Sequence, residues 1–221
     1  MDMVRGDITN LYKTIIELEA KQIFDKENFT ELDERTLTYL YDYNALTQTF
    51  APTTGAEKKV VCIFDCLPII MPSKYGFFYR NNAYFELENM FIETFLKNNI
   101  SEVWVDMSQG LSIAAANAVI RMKKHGYDIM LNVAIPYKGH GNQIYGASKT
   151  IYDYILKKAD LTVQVSDAVK NKESFKNCIL YMLNRSNIMI CANPKAKNNT
   201  FFINYCKDKN VEVLEFTLPE S

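Results

Sequence analysis

Residues able to hold or transform a ligand gather in five short stretches, each directly after an apolar run. In "DMSQGLS", Ser108 and Ser112 supply hydroxyls around Gly110, a residue that lets backbone approach a ligand closely. Backbone N–H groups and hydroxyls at a helix start suit a phosphate. A tight turn followed by small-residue packing is the competing reading, and the two are compatible. In "NPKAKNNT", Asn198, Asn199 and Thr200 resemble an N-cap cluster. Asn tolerates positive φ and adds amide donors, so this loop either cradles a ligand or caps a helix. Asp65, in "DCLPIIMPSKYG", can accept from a ribose hydroxyl or a base amine, or cap a turn.

The "PYKGHGNQIYG" stretch has three glycines around His140. General acid–base work by that imidazole needs a carboxylate or substrate partner that the sequence does not show, so it reads as an exposed loop histidine. Tyr137 and Tyr145 can stack on a base, yet read more simply as surface aromatics. Cys62 and Cys66 have no second pair and no nearby histidine, which argues against zinc. No nucleophile–base pair is visible. The expectation is therefore no catalytic residue, no metal and no cofactor.

The elements that must position these loops follow a regular alternation. Apolar runs at 59–64, 102–106, 129–135, 161–165, 187–192 and 211–216 read as strands, and 84–99, 111–125, 147–159, 172–186 and 200–209 as helices. Continuous apolar runs imply strands covered on both faces, hence a Rossmann-like three-layer α/β sandwich with a mostly parallel sheet of about six strands. In such sheets ligands settle beyond the carboxyl ends of the strands. Ala114, Ala115 and Ala116 fall inside the second helix and read as packing, whereas Gly110 falls in the turn before it.

Residues 1–50 read as an N-terminal helical extension of two helices, with Ile8, Leu11, Ile15 and Leu18 on one apolar face. "APTTGAEK", 51–58, reads as a linker, and 59–221 as the sandwich domain.

The 221 residues carry 25 basic and 26 acidic side chains, a net charge of −1. That balance argues against a partner held through nucleic-acid phosphates. No stretch approaches the roughly 20 apolar residues of a membrane helix, and "MDMVRGDITN" has no signal-peptide core. Five cysteines, odd in number and seated in apolar runs, suit reduced thiols. A cytoplasmic protein with no membrane partner is expected.

The loops also resemble a known family. "CIFDCLPIIMPSKYG" is similar to C-x-TGHRP-x3-P-x-GY and keeps Pro68, Pro72 and Tyr75. "SQGLSIAAANAVIRMK" resembles GMALGVDxxAAEAVLxLK, "VAIPYKGHGNQIY" resembles AIPxxxQxxxW, and "IYDYILKKADLTVQVSD" resembles RYxxILxxADxVxxVS. "YMLNRSNIMICANPKAKNNT" is similar to YMVDxSDxLIAVxxGxxGGT. These motifs belong to the YpsA/YoqJ-like bacterial and prophage branch of the SLOG superfamily, relatives of the LOG and DprA Rossmannoid domains. The resemblance spans roughly 59–216.

It implies sensing or binding of nucleotide-like ligands at Asp65, Cys66, Ser108, Gly110, Ser112, Pro136, Tyr137, Ser166 and the Asn198–Thr200 loop. The departures fall in the cleft. Asp65, Cys66 and Leu67 replace Gly-His-Arg, and an arginine suited to phosphate is lost. Ser112 replaces the acid of GVD, Cys178 and Ile179 replace Arg-Asn, and Asn198 and Asn199 replace twin glycines, with Thr200 kept.

Three functions stay open: binding or sensing of a nucleotide-derived ligand without turnover, N-glycosidic hydrolysis or transfer, and an interaction protein with a vestigial cleft. The second lacks the glycine run and glutamate of the PGGxGTxxE loop, unless Glu86 or Glu88 supplies the acid from another helix. A weakened phosphate grip favours an unusual or cyclic nucleotide, or an ADP-ribose-type signal, over plain triphosphates. Replacing Gly110 with leucine is expected to block the cleft and leave the fold mostly intact. Burying the apolar face of residues 8–18, at roughly 1.5–3 kcal/mol per large side chain, calls for docking on the domain or on a second copy in a homo-oligomer. Deleting residues 1–50 should therefore lower the melting temperature or change the mass in solution. Unchanged values for both would make the extension an independent appendage.

Overall fold

The structure is a computed structural model that describes residues 57–64, 77–108, 110–192 and 194–216, without the side chains of 77–86, Ala147 and Asn198. The expected N-terminal helices, most of the linker, Asp65 and Cys66 lie outside the described residues. From Lys59 onward the order is β1 (Lys59–Phe64), α1 (Phe77–Lys97), β2 (Ile100–Val105), α2 (Leu111–Lys124) and β3 (Met130–Ile135). Then come a short 3-10 turn (His140–Gln143), α3 (Gly146–Lys158), β4 (Leu161–Gln164), α4 (Lys172–Leu183) and β5 (Ile188–Cys191). A second 3-10 turn (Lys197–Asn199), α5 (Thr200–Asp208) and β6 (Glu212–Glu215) are the last elements of the described residues. The strands form one sheet, order β4-β3-β2-β1-β5-β6, every pair parallel.

Strand alternation sorts the core into two layers. Val61, Ile63, Val103, Leu131 and Ile188 point to one face, where they meet Phe91 and Phe95 of α1 and the alanines of α2. Cys62, Phe64, Trp104, Met189 and Cys191 point to the other, against Cys178 and Met182 of α4 and Cys206 of α5. The chain steps from β1 outward to β4 with α1–α3 on the first face. It then returns across the sheet and finishes with α4 and α5 on the second face. A change of face with a change of direction is what uniformly right-handed crossovers require.

Two elements differ from expectation. Helix α1 begins at Phe77, seven residues before the expected start, and contains Asn81 and Asn82. Their low helix propensity costs only tenths of a kcal/mol each, which tertiary packing overrides. Strand β4 is mostly exposed, with Leu161 at 45 %, because it is an edge strand rather than a doubly covered one. It is tied in by Asp160, whose Oδ2 accepts from Leu131 N at 2.7 Å and from Lys123 Nζ at 2.7 Å. Among the described residues no helix is long and apolar enough to cross a membrane.

Helix α2 is enclosed on nearly every side. All residues from Leu111 to Ala116 are buried, and so are Ala118, Val119 and Ile120. It packs on β1, β2 and β3 below and on α1 beside it. Alanines let helix and sheet approach closely, so Ala114–Ala116 are packing residues. Leucine at Ala115 should overfill this layer and destabilise the protein by about 1–3 kcal/mol. A denaturant melt of Ala115→Leu checks it, and an unchanged midpoint would contradict the close packing.

Candidate functional site

Strand order reverses at β1, which has β2 on one side and β5 on the other. The crevice above such a reversal is where ligands bind in open parallel sheets. The loops after β2 and β5 and the starts of α2 and α5 border it.

After β2 the chain makes a turn that the sequence strongly constrains. Met107 is buried with φ 64°, a costly conformation for an unbranched L-residue. Gly110 follows as the N-cap of α2 with φ 119° and ψ −122°, a combination open essentially to glycine. Asp106 organises the turn. Its Oδ1 accepts from Ser108 N at 3.0 Å, from the Ser108 hydroxyl, and from Ser112 Oγ at 2.7 Å. Of the expected residues, Ser108 and Ser112 are thus brought together by Asp106, which reads in the sequence as the end of a strand, while Gly110 stands between them in the chain. Both hydroxyls donate to a carboxylate here. That carboxylate sits at the first turn of α2, where the helix dipole favours negative charge.

Beyond β3, Pro136 and Tyr137 are buried. Tyr137 packs edge-on against Phe175 of α4 at 5.5 Å and against His140 at 5.1 Å. His140 is half-buried, not exposed, and its Nδ1 lies 3.3 Å from the Tyr152 hydroxyl of α3. Both residues were expected at the surface. They are covered because α3 and α4 close over the loop, a long-range event with no local signal. Gly141 permits it, since a Cβ there would stand 2.8 Å from Tyr152 Cε1. Tyr145 is 79 % exposed. Burial lowers the His140 pKa, the Asp106 carboxylate raises it, and Lys170 lowers it, for a net decrease from the usual value. Burial first, then Asp153 and Tyr137, pushes the Tyr152 phenol up to about 12.

The remaining expected residues are spread along the same edge. The Ser166 hydroxyl accepts from Ala168 N at 3.1 Å in the turn after β4. Asn198 contributes backbone to the second 3-10 turn. Asn199 is the N-cap of α5 by position, but makes no side-chain cap bond and has φ −94°, so positive φ is not its reason for being there. Its amide is 1 % exposed, and Nδ2 lies 3.9 Å from Cys191 Sγ. Thr200 is exposed and donates to Lys197 O at 3.0 Å. Cys178, which stands in place of an arginine in the resembled motif, is buried and donates to Ala134 O at 3.4 Å. Burial raises the pKa of its thiol well above the usual value.

Glu88 is unsuited to supply a missing acid. It pairs with Arg121 Nη1 at 3.0 Å near the carboxyl end of α2, towards the amino edge of the sheet. The side chain of Glu86 is outside the described residues. Among the described residues no three His, Cys, Asp or Glu side chains come together as metal ligands.

A histidine whose folded pKa is depressed must pay to become charged in the native state. Its contribution is complete above the usual value of about 6.5 and is lost as pH falls through the window towards the folded value. Stability should decline as pH drops below about 6.5, and His140→Gln should flatten that decline. Thermal melts from pH 8 to 5 on both proteins check this. Parallel curves would show that His140 is not buried as described.

The sequence profile of the YspA SLOG family matches residues 84–215, more than half of the chain. That range runs from within α1 to the end of β6 and holds the loops after β2, β3, β4 and β5. No curated protein matches the chain significantly.

Proposed function

Because the chain belongs to the YspA SLOG family, we propose that it binds a nucleotide-derived small ligand at the carboxyl edge of its sheet and does not turn it over. One observation carries the reading. The reversal of strand order at β1 sets the starts of α2 and α5 on either side of one crevice, with Gly110 as the buried N-cap of α2. An ADP-ribose-type or cyclic nucleotide fits such an edge better than a plain triphosphate, because Cys178 and Asn199, at positions of the motif's arginine and glycine, turn into the core. Absence of turnover rests on the chemistry at hand. His140, the one imidazole at this edge, has its Nδ1 beside a phenol of raised pKa and no nucleophile within hydrogen-bond reach among the described residues.

Gly110→Leu is a poor probe of the site, contrary to expectation. The position is buried with φ 119°, so leucine acts first on the fold. The decisive test is a thermal-shift panel of nucleotides, dinucleotides and cyclic ADP-ribose isomers on the full chain, each mixture then assayed for products. A ligand at a hundredfold excess over its Kd adds about 2.7 kcal/mol, which for this size is roughly 5–10 °C. At least one compound should give such a shift and be recovered intact. A panel without any shift would remove this reading in favour of an interaction protein. Recovery of a free base would replace it with N-glycosidic cleavage.

A further inference from the structure

The two edge strands of the sheet, β4 and β6, differ in character. β6 starts and ends on an exposed glutamate, Glu212 and Glu215. Carboxylates at both ends of an edge discourage pairing with another copy, since acid would lie beside acid. β4, the strand L-T-V-Q, carries no charge, and Leu161, Thr162 and Gln164 on it are exposed.

Apolar surface collects at the β4 end of the sheet. Among the described residues seven large hydrophobic side chains are exposed. Six of them, Met130, Tyr145, Ile151, Tyr154, Leu161 and Val169, lie between the start of β3 and the turn after β4. Scattered apolar residues are ordinary on a surface, but such a concentration at one end marks a contact. Met130 and Leu161 share a sheet face, because Leu161 is in register with Asn132 and Met130 precedes Asn132 by two.

The register fixes how a further strand can add. Asn132 pairs with Leu161 and Ala134 with Val163, and Val165 N donates to Ile135 O at 2.8 Å. In a parallel ladder that phase turns the backbone groups of Leu161, Val163 and Val165 towards β3, and those of Thr162 and Gln164 outward. Side chains alternate with the same period. Leu161, Val163 and Val165 stand on the face of Ala134 and the second core layer, and Thr162 and Gln164 on the other.

This alternation of apolar and polar residues reads the same in both directions about Val163. An antiparallel copy centred there sets Thr162 opposite Gln164 twice, each as a hydrogen-bonded pair. It also sets Val163 on its own counterpart and Leu161 on Val165, three apolar pairs on one face. Charge agrees with that direction. Lys157 and Lys158 close α3 just before the strand, and Asp167 follows it, all three exposed. Antiparallel pairing brings the basic end of one copy to the acidic end of the other. Self-complementarity of this kind is what a two-fold interface requires.

We propose that β4 is a dimer interface, at which two copies of this chain join antiparallel through Thr162 and Gln164 and merge their six-stranded sheets into one. β4 lies three strands from the order reversal at β1, so the interface stands apart from the candidate ligand edge and does not depend on the nucleotide reading.

The test is sedimentation velocity on the full chain from low to high micromolar concentration, with melts to show that each variant is folded. The parent should pass from monomer to dimer. Thr162→Pro removes an outward N–H that a lone edge strand does not use, and an edge strand tolerates proline there. It should weaken the dimer at least about tenfold, because each copy loses a strand hydrogen bond. Asp167→Lys should weaken it by a smaller factor, and adding Lys158→Glu in the same chain should restore it. In the parent, the amides of Thr162 and Gln164 should gain protection from hydrogen exchange as concentration rises. A parent that stays monomeric overturns the proposal. So does a dimer that ignores Thr162→Pro or, should that variant not fold, Asp167→Lys. Thr162 and Gln164 amides already protected in the monomer overturn it too, since the edge would then be covered within the chain.

Discussion

A strand that carries helices on both faces has no position to give to solvent, and most of this molecule follows from that constraint. β1, β2, β3 and β5 lie inside the sheet and are apolar at nearly every residue. Their alternate side chains feed two separate core layers. Polar chemistry is thereby pushed to the strand ends, and right-handed crossovers place every helix start at the same edge. The candidate site lies there because the interior has no room for it.

Where the interior strands do carry polar groups, the pairing is local but incomplete, since the buried Asn132 Oδ1 on β3 has no hydrogen-bond partner among the described residues. Glu102 Oε1 accepts from Trp104 Nε1 at 2.8 Å and from Asn132 Nδ2 at 2.6 Å, on the face covered by α4. Asp160 ties the edge strand to its neighbour. Such pairs keep the frame closed while the turn after β2 stays strained, with Met107 and Gly110 both at positive φ. Strain of this kind persists only where the surroundings over-determine it. The buried α2, packed between sheet and α1, supplies that surrounding.

Much of the frame was legible in the sequence because burial on two faces writes itself locally. The run "KVVCIF" and the block "IAAANAVI" announce a strand and a tightly packed helix without reference to anything distant. Edge status is not written that way. "LTVQV" looks like an interior strand, and only the strand order exposes Leu161. The candidate site was legible as a set of loops, and Ser108 and Ser112 do meet on one carboxylate. Asp106 was hidden because a polar residue after an apolar run looks like the strand's end, and its partners become visible only once α2 folds back. Tyr137 and His140 were misjudged for a related reason, since Phe175 and Tyr152 that cover them arrive from later helices.

The proposed function requires ligand binding at the carboxyl edge, around the turn from Asp106 to Ser112. Backbone amide mapping by 1H–15N NMR on the full chain, with and without the panel compound that stabilises it most, addresses that claim directly. The amides of Ser108, Gly110 and Ser112 should shift together with those around Thr200, while those at the amino ends of the strands, such as Lys59, Ile100 and Met130, stay in place. Movement confined to the amino edge, or no movement in the Asp106–Ser112 turn at a saturating concentration, would contradict it.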